Sequence, residues 1–364
     1  MHRKLIAVLA LLVFAVPAVA EAAPKKSKAP KLSVMTRNIY LGADIARPIG
    51  SKTVEEFEQK NQIVWDTVEA TNFPARAKLL AKEIKATKPD LIGLQEVALW
   101  RKGPKGDPAP ATDVAYDFLK LLQKEVKAAG LNYKVGSVQQ EANVEGPTTS
   151  DGDVRLTMRD VILVKQREGL TITGKKGANF KAEITVPTAA GPVTVKRGWT
   201  YVNAKLNGFK FRFINTHLEA FLPGPRLAQA EELVAKGGPT KTKLPTILVG
   251  DMNSDAKSDP DGAGDPAAYK EIVKSGFKDA WTQIKGKDKG YVCCLKRETA
   301  DDPPPFPADH RIDHIFTKQG GAKIKGVKAV KVGIDPKNRT KGSPRLWPAD
   351  HGGWVGTFEL IAKR

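Results

Sequence analysis

ILVGDMNSD, residues 247–255, carries three apolar residues into a glycine and then presents Asp251, Asn253 and Asp255. An apolar run of this length, bounded by turn residues, predicts a buried strand that stops at a loop. Side chains alternate along a strand, so Asp251 and Asn253 fall on one face of its end. A carboxylate beside a carboxamide supplies oxygen ligands for a hard cation and a donor for a phosphate oxygen. Taken alone, the same residues would serve an Asx-type turn equally well. Other strand ends decide between the two readings.

Outward from this stretch, strands and helices alternate. Residues 32–39 read as a strand ending at Asn38, and DLIGLQEV at 90–97 as a second buried strand ending at Glu96. Residues 75–88 have Ala77, Leu80, Ala81 and Ile84 on one helical face. Residues 113–129 place Ala115, Phe118, Leu119, Leu122 and Val126 in register, with Gly130 as a stop, and predict another helix. From about 133 to 217 the pattern is β-rich, helices return at 225–236 and 266–274, and strands close the chain near 311–317, 326–332 and 353–361. The Pro-, Gly- and Asp-rich loops at 101–111, 141–152, 255–266 and 299–309 read as surface insertions within one domain covering 32–364.

Polar residues sit where these apolar strands stop: Asn38 in VMTRNIY, Glu96 in LIGLQEV and His217 in FINTHLEA. Asp251 and Asn253 follow in ILVGDMNSD, Asp313 in RIDHIF, and Asp350 with His351 in PADHGGW. Strand ends along one edge of a sheet converge on one site, so a set of polar residues there asks for a reason beyond packing. Arg159 and Asp160 in LTMRDVILV point to opposite faces of a regular strand, which brings one of them to the site. His310 and His314 read as structural, since His314 alternates away from Asp313.

The ordered set TRNI, LIGLQEV, NTHL, GDMN, RIDHIF and ADH resembles the endonuclease/exonuclease/phosphatase superfamily. Its members include pancreatic-type deoxyribonucleases, abasic-site endonucleases, neutral sphingomyelinases and inositol polyphosphate phosphatases. The likeness covers nearly all of 32–361 and implies a four-layer α-β-β-α sandwich, two mixed β-sheets face to face with helices outside. It further implies that Glu96, with Asn38 beside it, is the principal ligand of Mg²⁺ or Mn²⁺, with Asp350 and Asp251 in the metal environment. Asp251 would position or deprotonate the attacking water, and Asn253 would hold a phosphate oxygen. His351, oriented by Asp313, would act as general acid/base, with His217 as the second histidine. The deoxyribonuclease pattern favours Arg159 as a phosphate contact, against the alternative of a surface arginine. The chain departs from the family at Arg37, where tryptophan is frequent, and at Ala349, where serine often stands.

Composition bounds the partners. The chain has 59 Lys+Arg against 40 Asp+Glu, a formal net charge of +19. Such a balance favours polyanions, although only Lys25–Lys31 forms a dense run and the remaining lysines are spread. Residues 1–22 have a basic start, an apolar run from Leu5 to Val19 and an Ala20-Glu21-Ala22 cleavage site, which predicts a secretory signal peptide and an extracellular protein. Residues 23–31 would be a flexible basic spacer. No later stretch is long and apolar enough for a membrane-spanning helix, and a monomer is expected. Cys293 and Cys294 are adjacent, too close for the usual zinc spacing. A vicinal disulfide, two free thiols and an intermolecular bridge remain open, in that order, and no chemistry is expected of them.

The sequence therefore predicts a secreted, Mg²⁺- or Mn²⁺-dependent phosphodiesterase, with a nuclease first. A phospholipid head-group phosphodiesterase is the alternative, since the sphingomyelinase branch shares the His217 motif and Phe221-Leu222-Pro223 follows it. An inositol phosphate phosphatase is an alternative beside it; a catalytically silent binding protein on the same scaffold stands further off, because none of Glu96, Asp251, Asn253 or His351 is lost.

Overall fold

A computed structural model describes residues 29–256 and 265–362. The signal-peptide reading of 1–22 lies outside the described residues, as does most of the proposed spacer. The first half of the chain runs β1 (Lys31–Asn38), α1 (Val54–Ala70), α2 (Phe73–Thr87), β2 (Leu91–Gln95) and β3 (Leu99–Gly103). It continues through β4 (Asp113–Asp117) and α3 (Phe118–Ala128) to a long hairpin, β5 (Tyr133–Pro147) with β6 (Asp153–Lys165). Then come β7 (Leu170–Asn179), a small hairpin of β8 (Ile184–Thr188) and β9 (Gly191–Val195), β10 (Gly198–Leu206) and β11 (Phe209–His217). The rest is α4 (Pro223–Val234), β12 (Thr246–Asp251), α5 (Ala267–Lys274), β13 (Lys278–Asp279) and α6 (Ala280–Lys285). It ends with β14 (Asp313–Lys318), β15 (Ala322–Val332) and β16 (Gly353–Ala362).

The strands form two mixed sheets. One is eight-stranded, ordered β15-β16-β1-β2-β6-β3-β4 with β5 paired to β6; the other is six-stranded, ordered β13-β14-β12-β11-β10-β7. Their inner faces share a core that includes Val34, Leu91, Ile162, Phe213, Val249, Ile315 and Trp354. Helices α1, α2 and α3 cover the outer face of the first sheet through Trp65, Leu80 and Leu122, and α4 and α5 cover that of the second through Leu233 and Ile272. This is the four-layer sandwich that the sequence implies. Strand β12 is buried at every position because helices lie behind it and the other sheet in front.

The sheets come closest around Gly93. A Cβ there would lie 2.5 Å from Val249 Cγ2 and 2.6 Å from Asn215 Oδ1. Asn215, fully buried on β11, uses that closeness to bridge the sheets. Its Nδ2 donates to Leu94 O at 2.9 Å and Val161 O at 3.3 Å, and its Oδ1 accepts from Gln95 Nε2 at 2.6 Å.

Two sequence expectations fail locally. Residues 113–117 are not the first turn of a helix; they pair as β4 along β3, and Asp117 caps the helix that begins at Phe118. The stretch 141–147 is not loop but the far end of β5, held in register against β6. Replacing Asn215 by alanine should cost roughly 2–4 kcal/mol, because two carbonyls and the Gln95 amide would lose partners in the dry interior. Urea unfolding measures this, and a loss below about 0.5 kcal/mol would show that the bridge is not structural.

Candidate active site

Topology collects the polar residues. Strands β1 and β2 are parallel neighbours in one sheet, and β11 and β12 in the other, so all four C-terminal ends leave on one edge of the sandwich. The antiparallel neighbours β14 and β16 begin at that same edge, with Asp313 opposite Asp251 and Trp354 opposite Thr36. Asn38, Glu96, His217, Asp251, Asp313, Asp350 and His351 therefore meet around one mouth. Gly250 is needed for this close approach: at φ +153° a Cβ there would lie 1.9 Å from Thr216 O.

Asn38 Nδ2 donates to Glu96 Oε1 at 3.0 Å and to Asp251 Oδ2 at 3.1 Å, while its Oδ1 accepts from Tyr40 N at 2.9 Å. Leu41 N donates to Glu96 Oε2 at 2.8 Å. Glu96, Tyr40 and Asn253 all hold left-handed backbone, at φ 58°, 59° and 46°. Such a conformation persists only where the surroundings over-determine it, and it clusters at functional sites. Beside these residues opens a cleft of about 280 Å³, lined by Tyr40, Glu96, Arg197, Phe221, Leu295 and Asp350.

On the other side, His351 Nδ1 lies 2.8 Å from Asp313 Oδ2 and 3.8 Å from Asp251 Oδ2. Two buried arginines set the backbone there. Arg37, the departure from the family pattern, pairs with Glu83 of α2 at 3.0 Å and donates to the carbonyls of Asn38 and His351. Arg76 donates to the carbonyls of Ile39 at 2.8 Å and Pro348 at 3.1 Å, joining the end of β1 to the segment that carries Asp350. Cys293 and Cys294 are joined as a vicinal disulfide. Contrary to the expectation that they stand apart from the chemistry, their sulfurs lie 3.5 and 3.8 Å from His351 Nε2.

His217 has a different setting. Its Nδ1 lies 3.0 Å from Arg197 Nη1, and its Nε2 is 3.1 Å from the Asn253 amide nitrogen and 3.6 Å from Asp251 Oδ2. Arg197 stands between Glu141 and Glu219, each at 3.8 Å. Glu141 and Asp160 complete a buried acidic group with His217. Sequence reasoning missed Arg197 and Glu141, since neither sits in a motif; period-two alternation did single out Asp160 as one of two candidates. Arg159, the favoured one, is not brought to the site. Its guanidinium is held by Asp117 at 2.7 Å and by the carbonyls of Val97 at 2.9 Å and Ala98 at 3.1 Å. His314 Nε2 donates to Ser254 O at 3.0 Å, away from the mouth.

The two histidines are driven apart electrically. Burial alone would depress the His351 imidazolium, but Asp313 and Asp350 outweigh it and hold its pKa well above the usual value. Burial, then the charge of Arg197, pushes His217 well below it. A protonated and a neutral histidine thus flank Asp251. Burial raises Asp251, Glu96 and Asp350, and Asp313 adds to the first and Asp350 to the second. Burial lifts Glu141 to about 8 and raises Asp160 well above the usual carboxylate value, with Glu141 opposing ionisation of its neighbour.

Residues 65–351 match the sequence model of the Endonuclease/Exonuclease/phosphatase family. No curated protein matches the chain by sequence. Solved structures share the fold. An endonuclease/exonuclease/phosphatase family protein from Bacteroides thetaiotaomicron is 16% identical with a TM-score of 0.56, over 92% of this chain and 100% of its own. The mannosyl-6-phosphatase Bt3783 of B. thetaiotaomicron VPI-5482 is 19% identical with a TM-score of 0.53, over 91% and 99%. TDP2 of D. rerio, complexed with single strand DNA product, is 17% identical with a TM-score of 0.52, over 90% and 99%.

Because His351 is raised in the folded state, its proton contributes stability that is fully present below about pH 6.5 and lost as pH rises through the folded value. Asp313→Asn removes one of the charges that hold that proton. Followed by NMR, the His351 titration midpoint should move to lower pH in the variant; an unchanged or higher midpoint would refute the coupling.

Proposed function

Since the chain belongs to the endonuclease/exonuclease/phosphatase family, a family of divalent-metal-dependent phosphoesterases, we propose that it hydrolyses phosphodiester bonds, with nucleic acid as substrate. The observation that carries this reading is the Asp313–His351 pair, at 2.8 Å, facing the Asn38-linked carboxylates of Glu96 and Asp251 across one mouth. Phosphoester hydrolysis asks for charge neutralisation at the non-bridging oxygens, an in-line water and help for the leaving oxygen.

The donor set fits a hard divalent cation. Glu96, Asp251 and Asp350 are carboxylates raised by burial and then by neighbouring carboxylates, and Asp350 Oδ1 is buried with no hydrogen-bond partner among the described residues. Oxygen donors of this kind suit Mg²⁺ or Mn²⁺ rather than zinc. Bound there, the ion would supply charge neutralisation at the phosphate. Glu96 and Asp350 would hold it, with Asn38 fixing the Glu96 and Asp251 carboxylates. Asp251 would take the proton of the attacking water. Neutral His217, its Nδ1 turned to Arg197, and Asn253 would receive a phosphate oxygen. His351 has Nδ1 committed to Asp313, which leaves Nε2 to give the leaving oxygen its proton.

The net charge of +19 supports a polyanionic substrate. So does the structural neighbour described with a single strand DNA product. A phospholipid head group is the second reading, favoured by Phe221 and Leu222, which are 49% and 45% exposed beside the cleft. Among the described residues no helix is long and apolar enough to cross a membrane. Export belongs to the same proposal and rests on the composition of residues 1–22.

Plasmid DNA, RNA, sphingomyelin and inositol phosphates, each with Mg²⁺ at low and high salt, separate these readings. Plasmid nicking that fades with salt is expected; phosphocholine release with intact DNA would replace the nuclease by a lipase-type phosphodiesterase. His351→Ala should lower turnover by about 10²-fold or more with the fold retained. Near-full activity in that variant would remove His351 from the mechanism.

A further inference from the structure

The segment around the disulfide is built into the site. Val292 N and Cys293 N donate to His310 O at 3.0 and 3.2 Å, and Leu295 N donates to Asp350 O at 2.8 Å. Gly352 N donates to Val292 O at 2.6 Å. Residues 292–295 thus join the approach to β14 with the approach to β16 and set the two sulfurs beside His351 Nε2. Cys293 is fully buried and Cys294 half-buried, so a small reductant has access to the pair through Cys294.

The distances carry information. A tetrahedral zinc, with Zn–S of about 2.3 Å and Zn–N of about 2.05 Å, requires sulfur and nitrogen about 3.6 Å apart. The two sulfurs lie 3.5 and 3.8 Å from His351 Nε2. In the oxidised form a bond joins the two sulfurs, so neither is the thiolate that a metal requires. Reduction removes that restraint and lets the sulfurs separate to the roughly 3.8 Å that two thiolates on one tetrahedral zinc require. Thiolates also select soft ions over the hard cation that suits Glu96 and Asp350.

The geometry points to a redox-gated site for a thiophilic divalent cation on Cys293, Cys294 and His351, closed in the disulfide form described above and opened by reduction. In the opening step the S–S bond breaks, two electrons come from a phosphine or dithiol, and two protons complete the thiols. Metal binding then releases the two thiol protons and the Nε2 proton of the His351 imidazolium, and leaves a fourth position for water. Captured through Nε2, His351 can no longer give a proton to a leaving group, so zinc arrests the reduced protein and spares the oxidised one. The site exists whichever phosphoester is the substrate, and its metal content can be read without any turnover.

The test uses the full chain in three forms: oxidised, reduced with a phosphine and desalted without air, and the reduced Cys293→Ser/Cys294→Ser double variant. Each is titrated with Co²⁺ in the presence of excess Mg²⁺. The reduced protein should take up one equivalent with a thiolate-to-cobalt charge-transfer band, and the other two forms should show none. Comparison of the oxidised and reduced wild-type protein stands even if the variant folds poorly. No band in the reduced protein, or the same band in the double variant, overturns the site. Where hydrolysis is followed, one equivalent of Zn²⁺ should abolish it in the reduced form only; equal inhibition of the oxidised form would place the captured group elsewhere and overturn the gating of His351.

Discussion

Four carboxylates, Glu96, Asp251, Asp313 and Asp350, converge on one buried edge, and their mutual repulsion is the constraint that the surrounding structure answers. Like charges a few ångströms apart in a low-dielectric cleft cannot all ionise without compensation. The protein supplies cations from its interior: Arg37 and Arg76 beneath the strand ends, and the His351 imidazolium in the middle. Arg37 is itself paired with Glu83, so α2 is drawn into the same network. What remains uncompensated faces the cleft, where a divalent ion fits.

The same constraint explains how rigidly the backbone is held. Left-handed conformations at Tyr40, Glu96 and Asn253 cost of order 1 kcal/mol each, and they persist because each turn is tied by hydrogen bonds to a neighbouring strand end. Two parallel strand pairs, one in each sheet, make the arrangement possible. Only parallel neighbours end side by side, and the contacts of Asn215 with Leu94 and of Asn38 with Asp251 tie the two pairs of ends together.

Much of this was legible in the sequence because apolar strand and polar terminus are adjacent in the chain. TRNI, LIGLQEV, NTHL and GDMN each carry both halves of that pattern, whereas Asp313, Asp350 and His351 stand at or just before the starts of β14 and β16; the four-layer fold is what the likeness of the ordered set to the superfamily implies. Arg197, Glu141 and the sulfur contacts of His351 were not legible, because they arise from register between distant strands. Arg159 misled for a local reason: alternation offers two faces, and the outer one carries Asp117 as a ready partner. Helix α1 was passed over because only Phe57, Val64, Trp65 and Val68 are buried along it, although Thr53 and Glu56 form a recognisable N-terminal cap. Residues 113–117 were drawn into a helix because their apolar spacing continues that of α3; pairing with an edge strand overrode it.

The central claim is that the edge of the sandwich is one cation site organised by Glu96. Binding of Mn²⁺, followed by electron paramagnetic resonance, tests it without assuming a substrate. The account predicts one immobilised Mn²⁺ per wild-type chain, displaced by Mg²⁺. In Glu96→Gln with an unchanged circular dichroism spectrum, binding should weaken by more than the roughly 10-fold that loss of an outer-shell partner causes. Equal Mn²⁺ affinity in the wild-type protein and in Glu96→Gln would contradict it.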